Sequence, residues 1–163
     1  MRIRHLLAAI FTGLLFCSPV QAAIITVEAV LTGASEVPGP GDADGSGHAT
    51  FTIDTIALTI TWDVTVADLD TVVAAHIHPG PAGVAGPPLI DLSSGLTGGP
   101  LTSADLAQVI ADPSAFYYNV HTDVFPDGAI RGQLQLVRRV PEAGGAGLML
   151  LGLMGVAWLR RRA

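Results

Sequence analysis

The sequence predicts an all-β fold, an antiparallel β-sandwich. The first observation is strict alternation. From Ile56 to Val66 the residues Ile56, Leu58, Ile60, Trp62, Val64 and Val66 share one face, and Thr59, Thr61, Asp63 and Thr65 take the other. A period of two is the signature of a strand with one dry and one wet side. The second is punctuation: Gly/Pro/Asp clusters at Pro38–Gly47, Pro79–Pro88, Gly95–Pro100 and Pro126–Gly128 divide the chain into short segments. The third is number: six or seven short strands with turns between them.

The elements follow in order. Strands are expected at Ile24–Leu31, Ala49–Ile53, Ile56–Val66, Val72–His78, Phe116–Thr122 and Ala129–Val137. Ser103-Ala104-Asp105 followed by Leu106, Val109 and Ile110 predicts one short capped helix. Six or seven short strands joined by turns fit a sandwich or small barrel. If Trp62 points into it, the indole is a principal core residue.

The flanks are of another kind. Arg2, Arg4 and His5 precede an apolar run from Leu6 to Phe16, and Val20-Gln21-Ala22 is a small-residue cleavage signal before Ala23. Residues 1–22 are therefore expected to be a secretory signal helix. Cys17 is preceded by the bulky Phe16, so a lipid-attachment site is disfavoured, and the mature chain contains no cysteine for disulfides or thiolate ligands. At the other end, Val140-Pro141-Glu142 leads into an apolar stretch from Ala143 to Leu159, then Arg160-Arg161-Arg162. Residues 143–159 are expected to form a transmembrane helix with the arginines on the cytoplasmic side. Residues 23–139 make one extracytoplasmic domain between these segments.

Charge narrows the partners. Between Glu28 and Glu142 lie fourteen acidic residues and three arginines, a net charge of −11, and the whole chain has no lysine. Such a surface repels phosphate backbones, so nucleic acid is not an expected partner. It suits a secreted domain that stays soluble or attracts cations.

The tail, read as a unit, resembles the PEP-CTERM sorting signal: short motif, apolar helix, terminal arginines. Ala143 stands where a second proline is usual, and Gly144-Gly145 also fits the related GlyGly-CTERM signal. The resemblance implies transient membrane attachment and an exosortase-type processing enzyme. The domain itself carries LTGASEVP (Leu31–Pro38), GSGHATFTID (Gly45–Asp54), AAHIHPGPAGVAGPPLIDL (Ala74–Leu92) and FYYNVHTDVFPDGAIRGQL (Phe116–Leu134). In that order and spacing these resemble the CHRD domain, named for chordin. The resemblance implies a sandwich of Cu/Zn superoxide dismutase-like or immunoglobulin-like architecture and no established activity.

One constellation can carry chemistry. His76 and His78 flank Ile77 and share a strand face, and His121 ends the Tyr117-Asn119-His121 face of another strand. If those strands are neighbours, three neutral imidazoles converge in a manner suited to copper or zinc. The His-Ile-His strand is similar to the metal strand of the superoxide dismutases, but no second ligand cluster or disulfide accompanies it. The alternative is a set of polar side chains hydrogen-bonding on a wet face. His48, on the polar face of its strand, is a weaker fourth candidate. Asp42-x-Asp44-Gly45 opens like a calcium loop, but Ile53 stands where a bidentate Glu is needed, and a solvated turn is the simpler reading. Arg131 is expected to pair with an acid such as Glu36 or Asp123. No nucleophile motif, paired catalytic carboxylates or phosphate loop is present, so no catalytic residues are assigned and the reading leans away from an enzyme. Two functions remain open: a non-enzymatic cell-surface or matrix module binding exopolysaccharide or extracellular protein, and a copper- or zinc-binding extracellular protein using His76, His78 and His121.

Overall fold

The structure, a computed structural model, describes residues 23–141. The expected signal helix (1–22) and transmembrane helix (143–159) lie outside the described residues. Among those described, no helix is long and apolar enough to cross a membrane. The described residues form nine strands: β1 (Ala23–Thr32), β2 (Ser46–Asp54), β3 (Thr59–Ala67), β4 (Val72–Pro79), β5 (Ile90–Asp91), β6 (Thr97–Thr102), β7 (Phe116–Thr122), β8 (Ile130–Gln133) and β9 (Gln135–Pro141). One short helix, α1 (Leu106–Ala111), follows Ser103-Ala104-Asp105 as its sequence predicts, with Leu106 and Val109 buried.

All strands belong to one antiparallel sheet in the order β5-β4-β7-β8-β1-β2-β3-β6, and β9 also pairs with β1. The ten-residue β1 explains why two separate sheets do not form. One of its edges pairs with β2 along the whole length, from Ile24↔Asp54 to Thr32↔Ser46. The other edge is shared, Ala23 to Glu28 pairing with β9 and Thr32 with Arg131 of β8. Hydrogen bonding therefore runs unbroken where the sequence reading expects a sandwich, and the all-β antiparallel sheet curls into a half-barrel. Curvature is measured by Phe51 on β2 and Tyr118 on β7, whose ring centroids are 5.2 Å apart. Three strand spacings separate β2 from β7, roughly 14 Å in a flat sheet. Only curling brings those rings into contact.

The concave face is the core. Ile25, Val27, Ala29 and Leu31 of β1 meet Ala49, Phe51 and Ile53 of β2, Ile60, Trp62 and Val64 of β3, and Ile77, Tyr118 and Val120 from β4 and β7, all buried. Alternate residues on each strand face outward, as the period of two requires. The predicted strand from Ile56 begins later than expected. The Asp54 carboxylate accepts from the backbone N–H of Ile56 and of Ala57, both at 2.8 Å, closing a turn between β2 and β3. Ile56 is consequently exposed, and Leu58 sits in the left-handed region at φ 50°. Ile60, Trp62 and Val64 keep the expected inward register.

Candidate metal centre

β4 and β7 are hydrogen-bonded neighbours, with Ala74 opposite His121, His76 opposite Asn119 and His78 opposite Tyr117. The core takes Ala75, Ile77, Tyr118 and Val120, so His76, His78, Tyr117, Asn119 and His121 stand together on the convex face. That face is not wet here. The Gly/Pro-rich segment 80–88 folds over it, leaving His78 only 4 % exposed. The burial of His78 comes from this cover, the Gly/Pro-rich loop that follows it directly in the sequence.

The three imidazoles converge. Ring centroids are 5.5 Å apart for His76–His78, 5.0 Å for His76–His121 and 6.1 Å for His78–His121. One ligand atom from each lies within 4.8 Å of the others, the one such trio of metal-type side chains found among the described residues. Hydrogen bonding assigns the tautomers. His78 Nδ1 is 2.9 Å from the Gly86 carbonyl and His121 Nδ1 is 3.0 Å from the Pro126 carbonyl. A carbonyl only accepts, so both Nδ1 atoms carry the proton and both Nε2 atoms keep a lone pair. His76 Nε2 lies 3.9 Å from Asp91 Oδ1 on β5. What remains is His76 Nδ1, His78 Nε2 and His121 Nε2, each buried and without a hydrogen-bond partner. Buried polar atoms are normally satisfied, and three exceptions in one cluster call for an explanation. A tetrahedral ion with ~2.0–2.1 Å bonds would hold the nitrogens roughly 3.4 Å apart, within reach of small side-chain rotations.

Electrostatics favour the neutral, ligating form. Burial lowers the pKa of His76, with the charge of His121 acting the same way and Asp91 opposing. Burial likewise lowers that of His78, opposed by the Gly86 hydrogen bond and reinforced by His76, His121 and Arg131. His48 is not brought in. It lies on β2, its Nε2 3.6 Å from Glu28 Oε2, far along the strand order from β4 and β7.

Two residues of the surroundings, Tyr117 and Arg131, had no assigned part in the sequence reading of the site. Tyr117 stacks on His78 at 4.8 Å and 11°, and its hydroxyl donates to the Gly86 carbonyl. Arg131 places its Cζ 3.4 Å from the Tyr117 ring centroid. β8 and β4 flank β7 on opposite sides, so guanidinium, phenol and imidazole form a three-layer stack that fixes the His78 ring. The expected ion pair of Arg131 is absent. Among the described residues no carboxylate lies within 4.0 Å of it; Nη2 donates instead to the carbonyls of Pro81 at 3.1 Å and Val84 at 2.9 Å. This pins the covering segment down, a role that a lone Arg in a sequence does not announce.

Glu36 is nevertheless near. It is buried at 6 % exposure, and its Oε2 accepts from Asn119 Nδ2 at 3.3 Å. Burial pushes its pKa up to about 7, the Arg131 charge pulling the other way. A folded value above the ordinary 4.5 means that the folded domain retains a proton which the unfolded chain releases. Glu36 therefore costs stability as pH rises from about 4.5 to 7, opposite in sign to His76 and His78.

Residues 27–134 match the CHRD domain family. This chain belongs to it. No curated protein and no solved structure matches the sequence. The match runs from β1 to Leu134, just past β8, and includes His76, His78 and His121 as well as Glu36 and Arg131.

Proposed function

We propose that this CHRD-domain protein is exported and binds one copper or zinc ion through His76, His78 and His121. One observation carries the reading: His76, His78 and His121 each bring a ring nitrogen within 4.8 Å of the others, and each has a buried nitrogen without a hydrogen-bond partner, two with their tautomer set by backbone carbonyls. Three neutral nitrogens with no thiolate suit Cu²⁺ or Zn²⁺, and a fourth position stays open to water or a ligand. Calorimetric titration of the purified protein is expected to give one ion per chain. His78→Ala should weaken binding by more than the ~10–100-fold that losing an outer partner costs. His48→Ala should leave it unchanged. A protein that retains neither ion at pH 7.5 sinks the proposal.

The setting belongs to the same proposal. The N-terminal segment is a signal cut after Ala22, and the PEP-CTERM-like tail holds the protein in the membrane until an exosortase-type enzyme acts on it. The domain then works at the cell surface or in the extracellular matrix as a non-enzymatic module with polysaccharide or protein partners, as its net charge of −10 over residues 23–139 and its lack of catalytic motifs favour. Intact-mass measurement of the exported protein is expected to show a chain beginning at Ala23. A species retaining residues 1–22 rules that out.

A further inference from the structure

The segment that covers His78 is attached in an unusual way. From Pro81 to Pro88 every residue is exposed except Gly86, which is half-buried. None of them joins the hydrophobic core, and Val84, the largest apolar side chain among them, is 49 % exposed. Hydrogen bonds hold the segment down instead. Arg131 Nη2 donates to the Pro81 and Val84 carbonyls, and Gln133 Nε2 donates to that of Gly80 at 2.7 Å. The remaining anchor is Gly86. Its carbonyl accepts from His78 Nδ1 at 2.9 Å and from the Tyr117 hydroxyl at 3.2 Å, and its N–H donates to that hydroxyl at 3.1 Å. A segment with so little buried apolar surface opens locally at far lower cost than the strands of a core.

We infer that segment 80–88 is a strap whose closure and ion binding reinforce each other: it opens locally in the metal-free protein and is locked shut by the ion. The inference rests on the metal reading and adds its regulation. When the strap is closed, the Gly86 carbonyl requires a proton on His78 Nδ1, which leaves the Nε2 lone pair for an ion. When it is open, that requirement is gone and the proton can move to Nε2, the nitrogen an ion needs. An ion on Nε2 keeps the proton on Nδ1 and polarises that N–H, strengthening the bond that holds the strap. Such coupling is reciprocal, so the factor that closure adds to ion affinity is the factor that the ion adds to closure. The outer partners of a metal-bound imidazole are worth about 10–100-fold in affinity, which sets the size of both effects.

The test is residue-resolved hydrogen–deuterium exchange of the full chain in detergent, with and without saturating Zn²⁺ or Cu²⁺, beside calorimetric titration of the same samples. Without an ion, the Gly86 amide is expected to exchange faster than that of Phe51 on β2, a strand paired along both edges. The ion should slow Gly86 by about 10–100-fold. Gly86→Ala prevents closure itself, because a Cβ there would collide with the backbone oxygen of Pro79 on β4. This variant should bind the ion about 10–100-fold more weakly and lose it faster to a chelator, with metal-free exchange at Phe51 unchanged. Tyr117→Phe keeps the ring on His78 and removes both hydroxyl contacts with Gly86, so it should act in the same direction by less. Ala85→Ser, at an exposed position of the strap, should change neither quantity. A parent protein that binds neither ion overturns the metal reading and the strap together. An ion that binds the parent but leaves Gly86 exchange unchanged overturns the strap alone. So does a folded Gly86→Ala variant that binds as tightly as the parent, or a Gly86 amide as slow as Phe51 without any ion.

Discussion

Trp62→Ala is expected to lower the domain's unfolding free energy by about 3–5 kcal/mol, the usual cost of emptying a buried aromatic site. The indole is 5 % exposed within the concave face, and its Nε1 donates to the Gly95 carbonyl at 2.8 Å. Gly98 of the neighbouring edge strand packs flat against the ring, where even a Cβ would collide. Truncation therefore removes apolar contact, orphans a carbonyl and leaves a void under β6. Trp62→Phe separates these effects: most of the burial survives, and the lost hydrogen bond costs about 1 kcal/mol. Chemical denaturation of the parent and both variants measures this. An unmoved midpoint for Trp62→Ala means that β3 does not present Trp62 to the core.

Metal loading should give the second large effect. Free Zn²⁺ or Cu²⁺ at a hundred times its dissociation constant stabilises the folded protein by about 2.7 kcal/mol, provided that the unfolded chain does not bind it. The gain has a definite pH dependence. In the folded domain His76 and His78 have lowered pKa values, while in the unfolded chain they titrate near the ordinary 6.5. Below that pH the unfolded chain takes up protons that the folded domain refuses, so stability falls with acidification. Protons also compete directly with the ion for the same nitrogens. Thermal unfolding at pH 7.5 and pH 5.5, with and without each ion, should show the full gain at the higher pH and little at the lower. His76→Ala, His78→Ala or His121→Ala should each remove most of it. An ion that stabilises the His121→Ala variant as much as the parent is bound elsewhere.

What the sequence conveys about this protein follows from which interactions are local. Alternation on β1, β2 and β3 is a one-strand property, and their inward residues are legible. So is the His76–His78 pair, because period two puts both rings on one side. The edge strand β6 is hidden: Thr97–Thr102 reads TGGPLT, with no alternation, and Pro100 is tolerated because an edge strand need not donate every hydrogen bond. β8 and β9 look like one strand in sequence but part at Leu134, the first pairing with β7 and the second with β1. The curl is non-local, since it depends on β1 bridging both halves. The same is true of the site. That β4 lies next to β7, that segment 80–88 covers His78, and that Arg131 bonds Pro81 and Val84 some fifty residues away are facts of tertiary contact.

The pairing of Ala23 with Pro141 places the first and last described residues side by side, on antiparallel strands running away from a common end. Tension between those two points pulls across the strands, so β1 and β9 open like a zip, the load resting on one hydrogen bond at a time. A shearing load would instead be shared by the whole row of bonds from Ala23 to Glu28. Mechanically, the end of the sheet where the chain enters and leaves is its weak seam, while the histidines sit on β4 and β7, away from that pair.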